Sequence, residues 1–142
     1  MGETILIRYL PGSPNLEILE KGDWIDLYTY EDVSLKPGES ARISLGVAMK
    51  LPDGYEAHVA PRSSTFKRWG ILQTNSVAVI DNSYCGDDDI WLYPVLATQA
   101  VVIPKGTRLC QFRIIEKQPK INFITVDSLG EENRGGFGTS GK

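Results

Sequence analysis

The sequence predicts an all-β domain with at most one short helix, and three observations support this fold class. Apolar and polar residues alternate with a period of two along Ala41–Lys50, which is typical of a half-buried strand. Turn signals divide the chain at intervals that favour a sandwich or a barrel: Pro11-Gly12, Pro37-Gly38, Pro52-Asp53-Gly54 and Pro104-Lys105-Gly106. Six more segments have strand-like composition: Thr4–Leu10, Tyr55–Ala60, Ser76–Ile80, Ile90–Leu96, Leu109–Ile115 and Ile121–Val126. Only Ser64–Trp69 is expected to be helical.

The length and charge of the chain fit one globular domain and argue against a nucleic-acid binder. With 142 residues, the chain is long enough to bury one core of ordinary size. Its net charge of −3 and pI of about 5.2 lack the basic excess with which nucleic-acid binders displace counterions. A small anionic ligand is compatible with this charge, because a few arginines or a metal ion can hold it.

The chain termini and cysteines predict a cytoplasmic protein (host-cell cytoplasm if it is viral). The N-terminal MGETILIRYL has neither the basic start nor the long apolar stretch of a secretory signal. No apolar run approaches the roughly 20 residues of a membrane-spanning helix. Cys85 and Cys110 show no metal-ligand spacing and no disulfide framework, so we expect two reduced thiols.

The last dozen residues differ in composition from the rest. We expect residues 1–130 to form the β-domain and residues 131–142 to form a flexible glycine-rich segment. A terminal tail is the simpler interpretation of such a composition. Phe137 favours the alternative, a lid that becomes ordered when a ligand binds, because a solvated linker has little use for a phenyl ring.

Two segments contain candidate ligand-binding chemistry. In Ala60–Ser64, Arg62 and two hydroxyls follow a proline, and this combination suits an oxyanion such as phosphate. A solvated turn with a helix cap would have the same residues. In Asn75–Gly86, an apolar run over Val77–Ile80 ends at Asp81. A carboxylate at the tip of a buried strand commonly has a task, but Asp-Asn-Ser is also good turn chemistry. For Asp81, the residues alone do not decide between a functional carboxylate and a turn residue.

Other polar residues carry weaker signals. Asp26 lies among large apolar residues and could support Mg²⁺, directly or through water, or it could be an edge-strand surface charge. Three consecutive aspartates, Asp87 to Asp89, cannot all face one ion, so we expect a solvated hairpin there. His58 has no evident nucleophile beside it and is expected to be an ordinary strand residue.

Taken in order, five segments resemble the five motifs of the homotrimeric dUTPase family, and the resemblance covers nearly the whole chain. These segments are Asp23–Thr29, Pro61–Ser64, Asn75–Gly86, Gly106–Gln111 (GTRLCQ) and Gly135–Gly141 (GGFGTSG). The resemblance implies a jelly-roll subunit with β-clip-like distortion, three active sites at subunit interfaces, and hydrolysis of dUTP to dUMP and pyrophosphate with Mg²⁺.

The same resemblance implies roles for individual residues. Asp81 would activate the attacking water, Tyr84 would pack beneath the deoxyribose, and Asp26 would support Mg²⁺ through water. The uracil would be bound by the segment that contains Asn75, Ala78, Val79 and Ile80. The triphosphate would be held by Arg62, Ser63, Ser64 and Gln111, with Arg134 reaching the terminal phosphate. The lid would contribute Phe137, Gly138, Thr139 and Ser140.

Two alternatives remain at this point. A dCTP deaminase has a related fold and an Arg-Ser-Ser pattern, which Arg62-Ser63-Ser64 matches. That enzyme needs a glutamate on the strand after the third motif, where Trp91 stands here. A non-catalytic, nucleotide-sensing regulator is the second alternative, although Asp81, Tyr84 and the glycine-rich end are all present.

Overall fold

The computed structural model describes residues 2–136 and consists of short antiparallel strands with one short helix. The elements in chain order are β1 (Leu6–Tyr9), β2 (Ile25–Tyr28), β3 (Val33–Leu35), β4 (Ser40–Ser44), β5 (Val47–Lys50), β6 (Tyr55–Pro61), α1 (Thr65–Trp69), β7 (Ile71–Gln73), β8 (Ala78–Ile80), β9 (Leu92–Ala97), β10 (Val101–Ile103) and β11 (Arg108–Glu116). The all-β prediction with one short helix is confirmed. In the described part of the chain, no helix is long and apolar enough to cross a membrane.

Strand β11 organises the largest sheet. It pairs with β2 on one side and β6 on the other, and β8 pairs with the far side of β6, which gives the order β2-β11-β6-β8. A three-stranded sheet has the order β4-β9-β7, and two two-stranded sheets pair β1 with β5 and β3 with β10. Strands β2 and β8 therefore form opposite edges of the four-stranded sheet.

The core lies between these sheets and is built from their inward-facing apolar side chains. Trp91, which precedes β9, packs edge-on against Phe112 of β11, with ring centroids 5.2 Å apart. Both side chains are almost completely buried. Aromatic pairs in this arrangement contribute stability beyond the area that they bury. This packing holds the two larger sheets together.

The alternating segment Ala41–Lys50 forms two strands and not the single strand that was predicted. Strand β4 pairs with β9, whereas β5 pairs with β1. Between them Gly46 has φ +69°, and a Cβ there would overlap the Ser13 side chain. Glycine alone tolerates this conformation without cost. The chain changes partners at Gly46 while its apolar side chains keep facing the core.

The predicted strand Ile121–Val126 is wrong for the described chain. The last paired residue is Glu116, and the backbone after Lys117 makes no ladder with any described strand. The apolar side chains of this C-terminal arm (residues 117–130) are exposed: Ile121 by 53%, Phe123 by 93%, Ile124 by 78%, Val126 by 54% and Leu129 by 87%. Its β-branched composition favours a strand only where a partner strand is available.

The expected helix is present as α1. Ser64 is its N-cap residue, and Gly70 ends it in the left-handed conformation, with its amide donating to the Phe66 carbonyl. The Thr65 hydroxyl accepts a hydrogen bond from the Arg62 amide at 2.8 Å and donates to the Leu109 carbonyl at 2.9 Å. The helix start therefore fixes the turn that contains Arg62, Ser63 and Ser64 against β11.

Candidate active site

A cleft of about 430 Å³ opens beside the end of β8 and is lined by Val79, Ile80, Asp81, Ser83, Tyr84 and Leu92. Its lining combines apolar side chains with a carboxylate, a hydroxyl and a phenol. A concave apolar surface with a few placed polar groups is the usual form of a small-molecule site. The cleft brings together Asp81, Tyr84, Val79 and Ile80, four of the residues to which the family resemblance gives a role.

The loop after β8 (residues 81–86, the site loop) is held by three sets of hydrogen bonds. The Asn82 side-chain amide donates to the carbonyls of Pro52 and Tyr55, both at 2.9 Å. The Tyr84 hydroxyl donates to the Ile90 carbonyl at 2.9 Å, and the Tyr84 amide donates to the Asp81 carbonyl at 3.0 Å. The hydrogen bonds of Asn82 hold the loop against the turn between β5 and β6, and they therefore fix the shape of the cleft.

Asp81 is exposed at the rim of the cleft and does not end a buried strand. The preceding Val79 is 58% exposed, so the premise of a desolvated carboxylate is wrong. The Ser83 hydroxyl and the Ser83 amide, the latter at 2.8 Å, both donate to Asp81 Oδ2. These hydrogen bonds, first the hydroxyl and then the amide, lower the pKa of Asp81. The predicted turn chemistry is thus present, and it presents an ionised carboxylate.

The segment before β8 carries the chain between two sheets. Strand β7 pairs with β9 and β8 pairs with β6, so residues 74–77 do not close a hairpin between paired strands. Ser76 has φ +58°, whereas Ala78 lies outside the left-handed region. Ala78 is 5% exposed and its side chain belongs to the core. Asn75 accepts a hydrogen bond from the Gln73 side chain at 3.0 Å and lies outside the cleft lining.

A second cluster surrounds Asp26 on β2. Asp26 Oδ1 lies 3.1 Å from Arg62 Nε, and Oδ2 lies 3.0 Å from Arg108 Nη1. Arg108 also reaches Glu17 at 3.4 Å and lies over the Tyr28 ring at 5.1 Å. Its hydrogen bond with Asp26 is the main cause that raises the pKa of Arg108. Asp26 of the first segment therefore contacts Arg62 of the second directly, and it also contacts Arg108 of the fourth, for which the sequence patterns predicted no role.

Arg108 belongs to the segment Gly106–Gln111, in which the family resemblance implies a role for Gln111 alone. The sequence carries no signal for Arg108, because its role depends on the pairing of β2 with β11, which brings it to Asp26. Gln111 itself stands opposite Asp26 in the register of β11 and β2, and its side chain donates to the Pro61 carbonyl at 3.1 Å. Gln111 therefore lies beside the cluster.

Next to this cluster lies a cavity of about 330 Å³ with a basic lining. It is lined by Arg62, Arg68, Trp69, Pro104, Thr107 and Arg108. Three guanidinium groups around one cavity suit an oxyanion, because each presents several donors in a planar fork. Ser63 is exposed at the same turn.

The remaining predicted residues lie elsewhere. Arg134 is exposed and donates to the Gly135 carbonyl at 3.3 Å, so it joins neither cluster in the chain. Phe137, Gly138, Thr139 and Ser140 lie outside the described residues. His58 hydrogen-bonds Glu56 at 2.6 Å, which fits the ordinary strand residue expected. Asp89 accepts from the Gly86 amide in an exposed turn, and residues 2–136 contain no metal-binding group of three or more acidic, His or Cys side chains.

The glutamate that a deaminase requires is missing from the cleft. Trp91 is fully buried against Phe112, and the neighbouring Leu92 is the residue that lines the cleft. Asp81 is the one carboxylate among the described residues lining this cleft. The position at which the deaminase alternative expects a glutamate is therefore occupied by a buried tryptophan.

The Asp81 cleft and the Asp26 cluster lie far apart within one chain. Ile80 pairs with Ala57, so Asp81 follows opposite Glu56 near the start of β6, whereas Arg62 follows the end of β6. Six residues of strand separate these positions, or about 20 Å. A single chain therefore contains the two parts of a polar site without joining them.

The fold and these two parts define a β-domain with an exposed carboxylate beside a nucleoside-sized cleft and a separate arginine cluster. A family model described as dUTPase matches residues 24–141. The chain belongs to the dUTPase family, and the predicted enzyme class, a dUTP diphosphatase, is confirmed.

Individual relatives agree with this assignment. The chain is 52% identical over 138 residues to the SPbeta prophage-derived deoxyuridine 5'-triphosphate nucleotidohydrolase YosS of Bacillus subtilis, covering 96% of this chain and 97% of the relative. A deoxyuridine 5'-triphosphate nucleotidohydrolase of Finegoldia magna is 39% identical, with 80% of each chain covered. The Staphylococcus bacteriophage 80alpha dUTPase, solved with dUPNHPP, superposes with a TM-score of 0.80 at 22% identity, over 98% of this chain and 99% of that one, which shows the common fold.

Proposed function

We propose that this chain hydrolyses dUTP to dUMP and pyrophosphate by attack of water on the α-phosphorus, with Asp81 as the base. The observation that supports this role is the position of Asp81, held ionised at the rim of the cleft by Ser83. Asp81 takes one proton from water as the oxygen attacks. The bond from the α-phosphorus to the bridging oxygen then breaks, and pyrophosphate leaves.

The cleft would hold the nucleoside part of dUTP. Tyr84 is 38% exposed, and its hydroxyl is already used by the Ile90 carbonyl, so its ring is the part left for a sugar. A ring against C2′ leaves a ribose hydroxyl without a partner, which disfavours UTP by ~1–3 kcal/mol. The backbone of Asn75–Ile80, with Val79 exposed towards solvent, would recognise uracil.

The arginine cluster would bind the triphosphate. Arg62, Ser63 and Ser64 lie at one turn beside the basic cavity, and Gln111 of β11 donates to the Pro61 carbonyl next to that turn. A serine hydroxyl of this turn that donates to the oxygen bridging the α- and β-phosphorus atoms would stabilise the leaving pyrophosphate as negative charge develops on that oxygen. In Arg62, Nε faces Asp26 and Nη1 donates to the Arg108 carbonyl, so Nη2 is the nitrogen that would bind a phosphate oxygen.

The residues around Asp26 fit a magnesium ion held through water. A carboxylate can accept about four hydrogen bonds, two on each oxygen. Each Asp26 oxygen accepts from one guanidinium group, which leaves one acceptor position on each oxygen. Asp26 therefore retains capacity to accept from a metal-bound water but cannot form an inner cage alone. Bound Mg²⁺ would neutralise charge on the phosphates. A neighbouring structure, a mutant dUTPase from phage phi11 of S. aureus, is described with a structural Mg(II) ion.

The complete site would form between subunits of a homotrimer. A gap of about 20 Å between Asp81 and Arg62 exceeds the few bonds that join the α-phosphorus to the terminal phosphate. One nucleotide can contact both parts only if they come from different chains. The exposed arm provides a second reason, because Phe123, Ile124 and Leu129 need an apolar partner outside the described chain.

The chain would have the organisation expected from its sequence, with residues 1–130 as the β-domain and residues 131–142 as a lid over the site. Phe137 would cover uracil, while the backbone at Gly138, Thr139 and Ser140 would contact phosphate. We further propose a cytoplasmic location, supported by the free thiols of Cys85 and Cys110.

Pyrophosphate release measured across dUTP, dTTP, dCTP and UTP tests the proposed function. We expect strong preference for dUTP and loss of activity when magnesium is chelated. Ammonia release from dCTP would favour the deaminase instead. Nucleotide binding without hydrolysis of any of the four would favour a regulator.

A further inference from the structure

We propose that Ser83 is a positioning residue that keeps Asp81 ionised and aimed at water when the anionic substrate binds. This inference rests on the proposed function, because it assigns Asp81 the role of base. Ser83 lines the same cleft, but the proposed role depends on its hydrogen bonds to Asp81 and not on a contact with the substrate. Its hydroxyl and its amide act on the carboxylate two residues before it.

The geometry distinguishes the two oxygens of Asp81. Both Ser83 donors fall on Oδ2, so Oδ1 keeps its lone pairs for a proton from water. The loop cannot easily relax away from this arrangement. Asn82, between the two residues, is hydrogen-bonded to the carbonyls of Pro52 and Tyr55, and Tyr84 is fixed to Ile90.

Charge explains why such support is useful. The triphosphate brings several negative charges close to Asp81, and like charges favour the protonated form of a carboxylate. A protonated Asp81 cannot accept a proton from water. Besides Ser83, the charged group acting on Asp81 from a neighbouring segment is Lys117, whose effect is smaller than that of either Ser83 hydrogen bond. Within the described chain, Ser83 is therefore the residue that most favours the ionised form of Asp81.

Two substitutions at Ser83 distinguish the loss of its hydrogen bond to Asp81 from a general loss of structure. Ser83→Ala removes the hydroxyl but keeps the amide donor, whereas Ser83→Thr keeps both. Ser34→Ala, at an exposed serine of β3, is the matched control. The first measurement is a ¹³C titration of the Asp81 carboxyl in the free protein, assigned by comparison with Asp81→Asn. We expect the pKa of Asp81 to rise by ~0.5–1 unit in Ser83→Ala and to stay unchanged in the other two.

The second measurement is the pH profile of kcat with dUTP. In Ser83→Ala, the acidic limb should move up by ~0.5–1 unit, and kcat on the plateau should fall by ~3- to 10-fold because the carboxylate is less well aimed. Ser83→Thr should restore both. Unchanged titration and an unshifted acidic limb in a folded Ser83→Ala protein would overturn the proposal. If the wild type fails to hydrolyse dUTP, the proposed function is wrong, while the titration still reports whether Ser83 controls Asp81.

Discussion

Arg108 and Asp26 form a charge-assisted hydrogen bond of 3.0 Å across 82 positions of sequence. The same carboxylate receives Arg62 on its other oxygen, so Asp26 holds two guanidinium groups side by side. A carboxylate between two arginines is well suited to fix their orientation, because each fork has a defined acceptor. Asp26 thus orients Arg62, the arginine proposed to bind phosphate, in addition to its proposed role with Mg²⁺.

The first prediction concerns this orientation. Arg108→Gln removes one partner of Asp26 and loosens Arg62, so KM for dUTP should rise by ~10-fold with a smaller change in kcat. A lost charge-assisted hydrogen bond at a partly exposed site is of about that size. Steady-state kinetics measure this split. Arg113→Gln, which breaks an exposed pair with Asp23, is the control and should leave KM unchanged. An unchanged KM in Arg108→Gln would separate the pair from phosphate binding.

The second prediction tests the base directly. Asp81→Asn keeps the size of the side chain but removes its basicity, so kcat should fall by ~10²-fold or more. Affinity for a non-hydrolysable dUTP analogue should survive. Asp88→Asn, in the exposed turn nearby, should retain full activity. A mutant at position 81 that turns over at the wild-type rate removes Asp81 from the mechanism.

The third prediction concerns the glycine-rich end. Deleting residues 135–142 should leave a folded trimer with a large loss of activity, because Phe137 and the adjacent backbone would no longer cover the substrate. Gel filtration and pyrophosphate release measure the two properties. A truncated protein that keeps its activity would show that the end is a dispensable tail.

A fourth prediction combines two inactive proteins. The Asp81→Asn variant has lids without a base, and the truncated variant has bases without lids. In mixed trimers, some sites would pair an intact Asp81 with a lid from a neighbour, so co-refolding should restore a modest fraction of activity. Mass measurement confirms that mixed trimers have formed. Mixed trimers as inactive as their parents would show that the lid does not act on another subunit's site.

The fifth prediction concerns the change of strand partner at Gly46. Gly46→Ala must accept a left-handed φ and a contact with Ser13 and Tyr30, so unfolding free energy should fall by about 2 kcal/mol or more. Gly54→Ala has a similar φ of +83° with no atom within 4 Å, and it isolates the backbone cost. Denaturant titration compares them. Equal losses would mean that packing at Gly46 is unimportant.

Local patterns were sufficient to predict the fold class and the short helix, whereas the roles of Asp81 and Tyr84 followed only from the resemblance to the family. Local patterns failed where structure depends on a partner distant in sequence. The alternation through Gly46 continues across a change of sheet, because side chains keep facing one core while the backbone changes neighbours. The arm at Ile121–Val126 has strand composition, but composition does not supply a partner. Arg108 was overlooked because its meaning depends on Asp26, which only the pairing of β2 with β11 brings near.

The pairing of β2 with β11 has a consequence for biosynthesis. Strand β2 emerges early, yet its hydrogen-bonding partner begins at Arg108, so Ile25–Tyr28 must wait for most of the chain. Contacts of such large sequence separation make folding slow, since much chain entropy is lost before they form. A nascent chain stalled before Arg108 would have an unpaired strand and no partner for Asp26. We therefore expect ribosome-bound fragments ending before β11 to be protease-sensitive and to need chaperones, while resistance appears only when Glu116 has left the tunnel.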